Sequence, residues 1–444
     1  MENKGSLAAA SGILQSTGAL DRSPCALDRT SAINRVSSAL DCNAIESSLV
    51  RTSARLALAR LDLSGSELDR RIGSGKAKGK VSIECSRIGS GKAKGKLDGG
   101  KLCRPEKHAS LFIFGDSLYD PGNNNYINTT TDFQANFGPY GETFFKYPTG
   151  RFSDGRVIPD FIAEYAKLPL ITPYLHPGYH RYIDGANFAS GGAGALVETH
   201  QGYVIDLKTQ LSYFKNLARL FRKKLGHAEA KTFFGRAVYL ISIGGNDYLV
   251  PFNSNSTVLQ SISKEDYVDM VIGNLTTVIK KIYKKGGRKF GFTSMLPLGC
   301  LPFTKVLKPG NTGACIDELT TLAKLHNRAL PKVLQKLERE LNGFKYSIAD
   351  GYTAFSERIN NPSKYGFTEG KIACCGSGEY RGILSCGGIR SVKEFELCEN
   401  ISEYVFFDSA HLSERANEQV AKLMWSGTSN VTGANYNLKA LFQL

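Results

Sequence analysis

The chain has 444 residues, of which 42% are hydrophobic and 22% are charged, as in ordinary globular proteins. No run of 18 apolar residues occurs in it, so we expect no membrane-spanning helix. The net charge of +15 is uneven, because roughly half of it lies in residues 1–108.

Residues 1–108 differ in composition from the rest of the chain. The decamer RIGSGKAKGK occurs at Arg71–Lys80 and again at Arg87–Lys96, and no aromatic residue is present in this part. Such a composition predicts a low-complexity, basic and disordered extension, with at most a short helix at Arg51–Leu63. The alternative is a basic arm that binds nucleic acid or acidic lipid. Because no aromatic side chain is available for base stacking, we expect no nucleic-acid partner.

From Ser110 onward, short apolar runs alternate with amphipathic segments. The predicted strands are Leu111–Phe114, Ala186–Ala189, Val238–Ile243, Lys289–Thr293 and Phe344–Ala349. The predicted helices are Val157–Ala166, Leu207–Leu225, Lys264–Lys285, Leu319–Leu341 and Leu412–Met424. This alternation predicts one domain at 109–444, with a parallel sheet between two helical layers. In such a sheet the active site lies at the carboxyl ends of the strands.

A candidate nucleophile, Ser117, follows the first predicted strand within Gly115-Asp116-Ser117-Leu118. A serine nucleophile needs a base, and the base needs an orienting acid. Asp408 and His411 would supply both if a helical turn placed them on one face. Each motif has an ordinary alternative, since the serine can cap a helix and D-x-x-H can form a surface turn.

Two further segments after predicted strands offer hydrogen-bond donors. Gly244–Asp247 places Asn246 where its amide can donate to an oxyanion, although an Asn-Asp turn is the alternative. Asn187–Gly194 reads NFASGGAG and offers backbone N–H groups, while a phosphate-binding loop would need a motif that is lacking here. The chain has no G-x-S-x-G, which excludes the usual α/β-hydrolase nucleophile turn.

Longer phrases accompany these residues in a fixed order. They are FIFGDSLYDPGNNNYI (Phe112–Ile127), PTGRFSDGRVIPDFIAEY (Pro148–Tyr165), NFASGGAG, LISIGGNDY (Leu240–Tyr248), GFTSMLPLGCLP (Gly291–Pro302), CCGSGEY (Cys374–Tyr380) and FFDSAHLSERAN (Phe406–Asn417). With them, the chain from about Ser110 to its end resembles the plant branch of the GDSL (SGNH) hydrolase family. One departure is Leu412, which follows His411 where that branch usually has proline.

The resemblance implies a serine esterase or lipase that hydrolyses carboxylic esters through an acyl-enzyme. The implied fold is α/β, a flavodoxin-like three-layer α/β/α sandwich with a five-stranded parallel sheet. Ser117 matches the nucleophile, His411 the base and Asp408 its orienting acid. The family uses no metal and no cofactor.

The resemblance also assigns an oxyanion hole. Its donors would be the backbone N–H of Ser117, the backbone N–H of Gly192 and the side-chain amide of Asn246. The adjacent Gly191 is the alternative second donor, because the glycine pair leaves the match open by one residue.

Six cysteines lie in the second half of the chain, without the spacing of a zinc site. They are Cys300, Cys315, Cys374, Cys375, Cys386 and Cys398. The 15-residue spacing predicts a Cys300–Cys315 disulfide. Cys374 and Cys375 would then pair with Cys386 and Cys398, in an order that the sequence leaves open.

Cysteines and glycosylation sequons together indicate a secreted glycoprotein, as the family implies. The sequons begin at Asn128, Asn255, Asn274, Asn400 and Asn430. Met1–Leu20 nevertheless lacks the apolar core of a secretory signal. The basic repeats stand where the family has its signal peptide, so we expect a misassigned first exon or an upstream fusion.

The main rival to an enzyme is a catalytically silent protein that binds lipid or carbohydrate esters on the same fold. Because every catalytic motif is intact, we favour the enzyme. Lipid esters, cutin-like polyesters, acetylated polysaccharide and small phenolic esters all remain open as substrates, since loops of unspecified shape would form the pocket walls. We expect a monomer with a small or polymeric ester as its partner.

Overall fold

The computed structural model describes residues 108–179, 181–253, 261–307, 313–427 and 434–444. The predicted basic extension, with its repeats and its short helix, lies outside these ranges apart from residue 108. The division of the chain near residue 108 therefore stays a prediction.

The strands and helices lie in the following positions. The strands are β1 (Leu111–Gly115), β2 (Gly185–Asn187), β3 (Val238–Ser242), β4 (Lys289–Thr293), β5 (Lys345–Ala349), β6 (Glu369–Ala373), β7 (Cys375–Gly376), β8 (Glu396–Leu397) and β9 (Tyr404–Phe406). The α-helices are α1 (Ile158–Tyr165), α2 (Leu207–Leu225), α3 (His227–Arg236), α4 (Gly245–Asn253), α5 (Lys264–Lys284), α6 (Pro302–Lys305), α7 (Asp317–Glu340), α8 (Gly351–Asn360), α9 (Glu414–Ser426) and α10 (Leu438–Gln443). Short 3₁₀ helices occupy Asn123–Tyr126, Thr131–Phe133, Leu298–Cys300, Pro362–Tyr365, Glu379–Arg381 and Ile401–Glu403.

The main sheet has the order β2-β1-β3-β4-β5, and its neighbouring strands are parallel. The strands are buried along nearly their whole length, which explains why they read as continuous apolar runs rather than alternating ones. This is the flavodoxin-like order, so the predicted five-stranded parallel sheet is confirmed.

Helices cover both faces of the sheet. On one side α5 packs against α2 and α7, and on the other α9 packs against α1 and α10. The predicted three-layer α/β/α sandwich is therefore confirmed. None of the helices in the described ranges combines the length and apolar character needed to cross a membrane.

Aromatic rings fill the space between β1, β3 and the helices above them. The Phe112 ring lies 5.7 Å from Phe214 in α2 and 5.6 Å from Tyr239 in β3. Tyr239 stacks in turn on Phe290 of β4, at 5.2 Å. Edge and offset contacts of this kind add to the free energy gained by burial, so β1 is held firmly at the centre of the sheet.

A second, smaller hydrophobic cluster lies apart from the main core. Its buried members are Ala135, Tyr140, Phe152, Cys375, Cys386 and Phe407. The strand β7, which contains Cys375, pairs with β8, whereas the β6–β9 pair contributes Ala373 and Phe406 to the main core. The disulfides are Cys300–Cys315, Cys374–Cys398 and Cys375–Cys386, which confirms the predicted pairing and gives the order that the sequence left open.

Several local expectations differ from the structure, and three of the differences concern the candidate site. Asp408 to His411 form a bend and not a helical turn. The last predicted helix begins at Glu414, two residues later than expected, because the Ser413 side chain accepts the Ala416 N–H and caps it. Asn246, which was expected directly after a strand, stands in the first turn of α4, a helix that was not predicted.

Candidate active site

Ser117 is placed by the end of β1. A Cβ at Gly115 would overlap the Ser242 carbonyl oxygen in β3, so only glycine permits this close approach. The buried Gln210 side chain accepts the Gly115 N–H at 3.0 Å and donates to the Gly115 carbonyl at 2.8 Å. These contacts fix the backbone two residues before Ser117, which is half-buried at the cleft.

Asp408 and His411 meet Ser117 in one line of hydrogen bonds. The His411 Nε2 atom lies 2.8 Å from Ser117 Oγ, and His411 Nδ1 lies 2.8 and 2.9 Å from the two Asp408 oxygens. The Asp408 Oδ1 atom also accepts the N–H groups of Ala410 and His411, at 2.9 and 2.8 Å. This self-capped bend brings the acid and base together where a helical turn was predicted.

The environment of Asp408 favours its charged form. The side chain is fully buried. Burial acts to raise the pKa of the carboxyl, but the charge and hydrogen bond of His411, with hydrogen bonds from Tyr140 and Ala410, hold that pKa well below its usual range. An ionised carboxylate at this position orients the imidazole, with Nδ1–H toward Asp408 and Nε2 free to accept from Ser117.

Gly192 and Asn246 line the same cleft as Ser117. Both are half-buried. The neighbouring Gly191 N–H is already donated to Asp120 Oδ2 at 2.9 Å, which favours Gly192 as the available donor. Gly192 has φ +82° and a carbonyl that accepts from His200 Nδ1 at 2.8 Å. One Asn246 amide hydrogen goes to the Ala193 carbonyl at 3.0 Å, which leaves the other for a ligand.

Two buried aspartates hold these loops together. Asp120 accepts the N–H groups of Gly122, Asn123 and Gly191, and so joins the Ser117 loop to the glycine pair. Asp247 accepts from the Thr199 hydroxyl and from two backbone N–H groups of the same loop. Burial raises the pKa of each carboxyl to about 6, against the lowering effect of these hydrogen bonds.

Asp116 is a third buried carboxyl, directly beside Ser117. It is 5% exposed, and its Oδ1 accepts the Leu118 N–H at 3.1 Å. Burial raises the pKa of Asp116 to about 7, although the hydrogen bond from Leu118 and the charge of His411 act to lower it. Its protonation state therefore changes in the neutral range.

The cleft has a volume of about 320 Å³ and mostly apolar walls. Its apolar lining comprises Leu118, Phe133, Phe152, Ile158, Ile243, Leu249, Val250, Met295, Leu296, Leu298, Leu301, Phe303 and Leu384. Within the part of the chain that the structure describes, no three His, Cys, Asp or Glu side chains are grouped so that they could hold a metal ion. Apolar walls around a few polar groups are typical of a site for an organic molecule.

Sequence reasoning missed several residues that build this site, among them Gln210, Tyr140 and Arg390. Gln210 had a detectable signal, because it is a polar residue within the buried apolar stripe of α2. Tyr140 and Arg390 lie 250 residues apart in segments without periodicity, and no local pattern links them.

The fold and the site define a class of protein, an α/β/α hydrolase with an aligned serine, histidine and aspartate. The family described as GDSL-like Lipase/Acylhydrolase matches residues 111–424. The chain belongs to this family, which confirms the predicted resemblance, and it is a hydrolase of carboxylic ester bonds.

Several curated plant proteins are similar to it. "GDSL esterase/lipase 1" of Arabidopsis thaliana is 55% identical over 339 residues, which cover 76% of this chain and 90% of that protein. "GDSL lipase" of Tanacetum cinerariifolium is 52% identical, with coverage of 76% and 89%. A more distant Arabidopsis protein, named "Inactive GDSL esterase/lipase-like protein 25", is 37% identical, with coverage of 76% and 75%.

Proposed function

We propose that the protein cleaves carboxylic esters through an acyl-enzyme on Ser117. The observation that carries this proposal is the unbroken line from Ser117 Oγ through His411 to Asp408, with each link between 2.8 and 2.9 Å. In this line His411 takes the proton of Ser117 as the oxygen attacks the ester carbonyl. The same imidazole then returns a proton to the leaving alcohol and activates a water molecule for deacylation.

The tetrahedral intermediate carries a negative charge on the former carbonyl oxygen. The N–H groups of Ser117 and Gly192 and the amide of Asn246 would donate to it. Because the Asp120 and Asp247 carboxylates fix both flanking loops, these donors are arranged before the substrate binds. Donors that need no rearrangement stabilise the transition state more than they stabilise the ground state.

The shape of the cleft suggests the kind of ester. With about 320 Å³ and aliphatic and aromatic walls, it suits an apolar acyl chain better than a charged or sugar-like one. A series of p-nitrophenyl esters from acetate to palmitate should therefore give kcat/KM values that first rise with chain length. Preference for acetate over every longer ester would contradict an acyl-binding role for these walls.

The test of the mechanism is Ser117→Ala together with covalent labelling. Ser117→Ala should lower kcat by about 10⁴–10⁶-fold while the circular dichroism spectrum stays unchanged. An organophosphate should add once to the parent protein, at Ser117. The matched control is Ser409→Ala, because Ser409 is buried in the same bend and its hydroxyl has no hydrogen-bond partner among the described residues. Unchanged hydrolysis by Ser117→Ala would refute the assignment.

The second candidate function is that of a catalytically silent protein that binds esters, and it predicts a different outcome of these experiments. A silent protein would bind an ester analogue but would neither turn over substrate nor react with the organophosphate. The intact line of hydrogen bonds at Ser117 favours the enzyme.

We also propose that the protein is secreted and glycosylated. The three sequon asparagines within the described ranges, Asn128, Asn274 and Asn400, are all exposed, as glycosylation requires. Three disulfides fit an oxidising compartment. Removal of N-glycans from protein produced in plant cells should lower its mass, and an unchanged mass would count against glycosylation.

A further inference from the structure

The line of hydrogen bonds at Ser117 does not stop at Asp408. The Tyr140 hydroxyl donates to Asp408 Oδ2 at 2.6 Å, and Arg390 Nη1 donates to the Tyr140 oxygen at 3.2 Å. Tyr140 and Arg390 are each only 1% exposed, so water does not screen this part of the line. The buried guanidinium of Arg390 is thus connected through Tyr140 to Asp408, the acid of the proposed triad.

Arg390 is held firmly in this place. Its Nη1 and Nη2 atoms donate to the carbonyl oxygens of Cys386 and Gln134, each at 2.9 Å. The guanidinium lies 5.0 Å from the centre of the Phe137 ring and 5.5 Å from that of Tyr140. The Cys375–Cys386 disulfide ties one of its carbonyl partners to the second hydrophobic cluster.

The charge of Arg390 has no direct ion-pair partner among the described residues. Burial of a guanidinium is costly, and contacts to carbonyl oxygens alone compensate for it poorly. Asp408 is the anion to which Arg390 is connected, and the connection runs through Tyr140. This arrangement suggests that the charge acts on Asp408 as well as on local packing.

The effect on His411 follows from the signs of the charges. During acyl transfer His411 gains a proton, and the negative charge of Asp408 stabilises the cation that forms. The hydrogen bond from Tyr140 withdraws charge from the carboxylate, and the positive charge of Arg390 opposes a second cation nearby. Both effects lower the affinity of the Asp408–His411 pair for a proton.

Other groups around His411 act in different ways. Asp116, on the loop after β1, is a further carboxyl, and the charge of His411 acts to lower its pKa. The Phe152 ring lies 4.7 Å from the His411 ring and carries no charge. Within the described residues, Arg390 is therefore the cation connected to the pair by hydrogen bonds.

We propose that Tyr140 and Arg390 are positioning residues that lower the proton affinity of the Asp408–His411 pair and so set the acidic limb of the pH–rate profile. This inference rests on the proposed function, because it concerns the same base. It adds that the acidic limit of the pH range for activity is set outside the triad, by Tyr140 of the second hydrophobic cluster and by Arg390, which packs against that cluster.

The test is the pH dependence of Tyr140→Phe and Arg390→Met. In both variants the acidic limb of the kcat/KM profile on a p-nitrophenyl ester should move to higher pH, by about one unit, with KM nearly unchanged. Arg390→Lys keeps the charge and should leave the midpoint close to that of the parent. The NMR titration of the His411 ring should show the same shifts without any need for turnover.

Two matched controls separate this role from a loss of packing. Tyr239→Phe removes a buried hydroxyl that donates to the Phe234 carbonyl, and Arg358→Met removes a buried guanidinium beside Tyr365. Both controls should lower stability without moving the acidic limb. If Arg390→Met does not fold, Tyr140→Phe decides alone.

The outcomes distinguish this inference from the proposed function. If the parent protein has no esterase activity but the His411 titration still shifts in Tyr140→Phe, the proposed function is rejected and the inference stands. If the parent protein is active but neither the acidic limb nor the His411 titration shifts in Tyr140→Phe, the inference is overturned and the proposed function stands. A shift of equal size in the two controls would also overturn it, since the effect would then be one of general destabilisation.

Discussion

Asp408→Asn keeps the shape of the side chain and removes its charge. In the parent protein, Asp408 Oδ1 accepts the backbone N–H groups of Ala410 and His411. These donors cannot move without breaking the bend, so the asparagine must place its oxygen there. Its NH₂ group then takes the position of Oδ2, near the Tyr140 hydroxyl and 2.9 Å from His411 Nδ1.

His411 Nδ1 would then lie 2.8 Å from the retained oxygen and 2.9 Å from the NH₂ group, so the two tautomers of the neutral ring compete. Whenever the NH₂ group donates to Nδ1, the ring proton is on Nε2, which faces Ser117 and can then no longer accept from it. The imidazolium also loses its counter-charge. The same exchange in a serine-protease triad lowers kcat by about 10⁴-fold, or about 5.5 kcal/mol, and we expect a loss of that order here.

The assay is kcat/KM on a short p-nitrophenyl ester from pH 5 to pH 9. The matched control is Asp154→Asn, because Asp154 is 2% exposed and accepts the Glu414 N–H, yet does not contact His411. The control should keep most of the activity. A loss below about 10-fold in Asp408→Asn would refute the tautomer argument.

Three other predictions follow from the structure and the sequence. Asn246→Ala removes one proposed oxyanion donor and should lower kcat about 10²–10³-fold, or about 2.7–4 kcal/mol; a loss as large as that of Ser117→Ala would contradict this. Burial raises the pKa of Asp120 and Asp247 from 3.8 to about 6, so between these two values the native state binds more protons than the unfolded state. The free energy of unfolding should therefore fall as pH rises from about 4 to about 6, and a Tm that increases over this range would contradict the effect. Removal of residues 1–108 should leave Tm and esterase activity unchanged, and a fall in Tm of more than a few degrees would show that the segment belongs to the fold.

Much of the main sheet could be predicted because its strands are buried on both faces. Such strands leave continuous apolar runs in the sequence, so β4 was predicted at both of its bounds and β3 within one residue. The helix α2 was also predicted at both bounds, since its Asp206 cap and its apolar stripe are local signals. By contrast, α3 and α8 were missed, because each has only ten residues and a weaker apolar stripe.

The candidate site was predictable only where a motif marks it. Ser117, Asn246 and the Asp408–His411 pair each stand in a short pattern with a chemical reason. The form of the bend at Asp408 depends on backbone groups that accept and donate within it, and a spacing of three residues does not reveal them. Contacts such as that between Arg390 and Tyr140 form only in the tertiary fold, and no local sequence pattern predicts them.

The second hydrophobic cluster has a consequence for how the enzyme loses activity on heating. Tyr140 and Phe407, the neighbour of Asp408, belong to this small group and not to the main core, whereas Ser117 is held by the sheet. A core with few buried members opens at a lower free-energy cost than a large one. On heating, sub-global opening of the cluster would remove Tyr140 from Asp408 and Phe152 from the His411 ring while the sheet persists, so thermal inactivation would precede the loss of secondary structure.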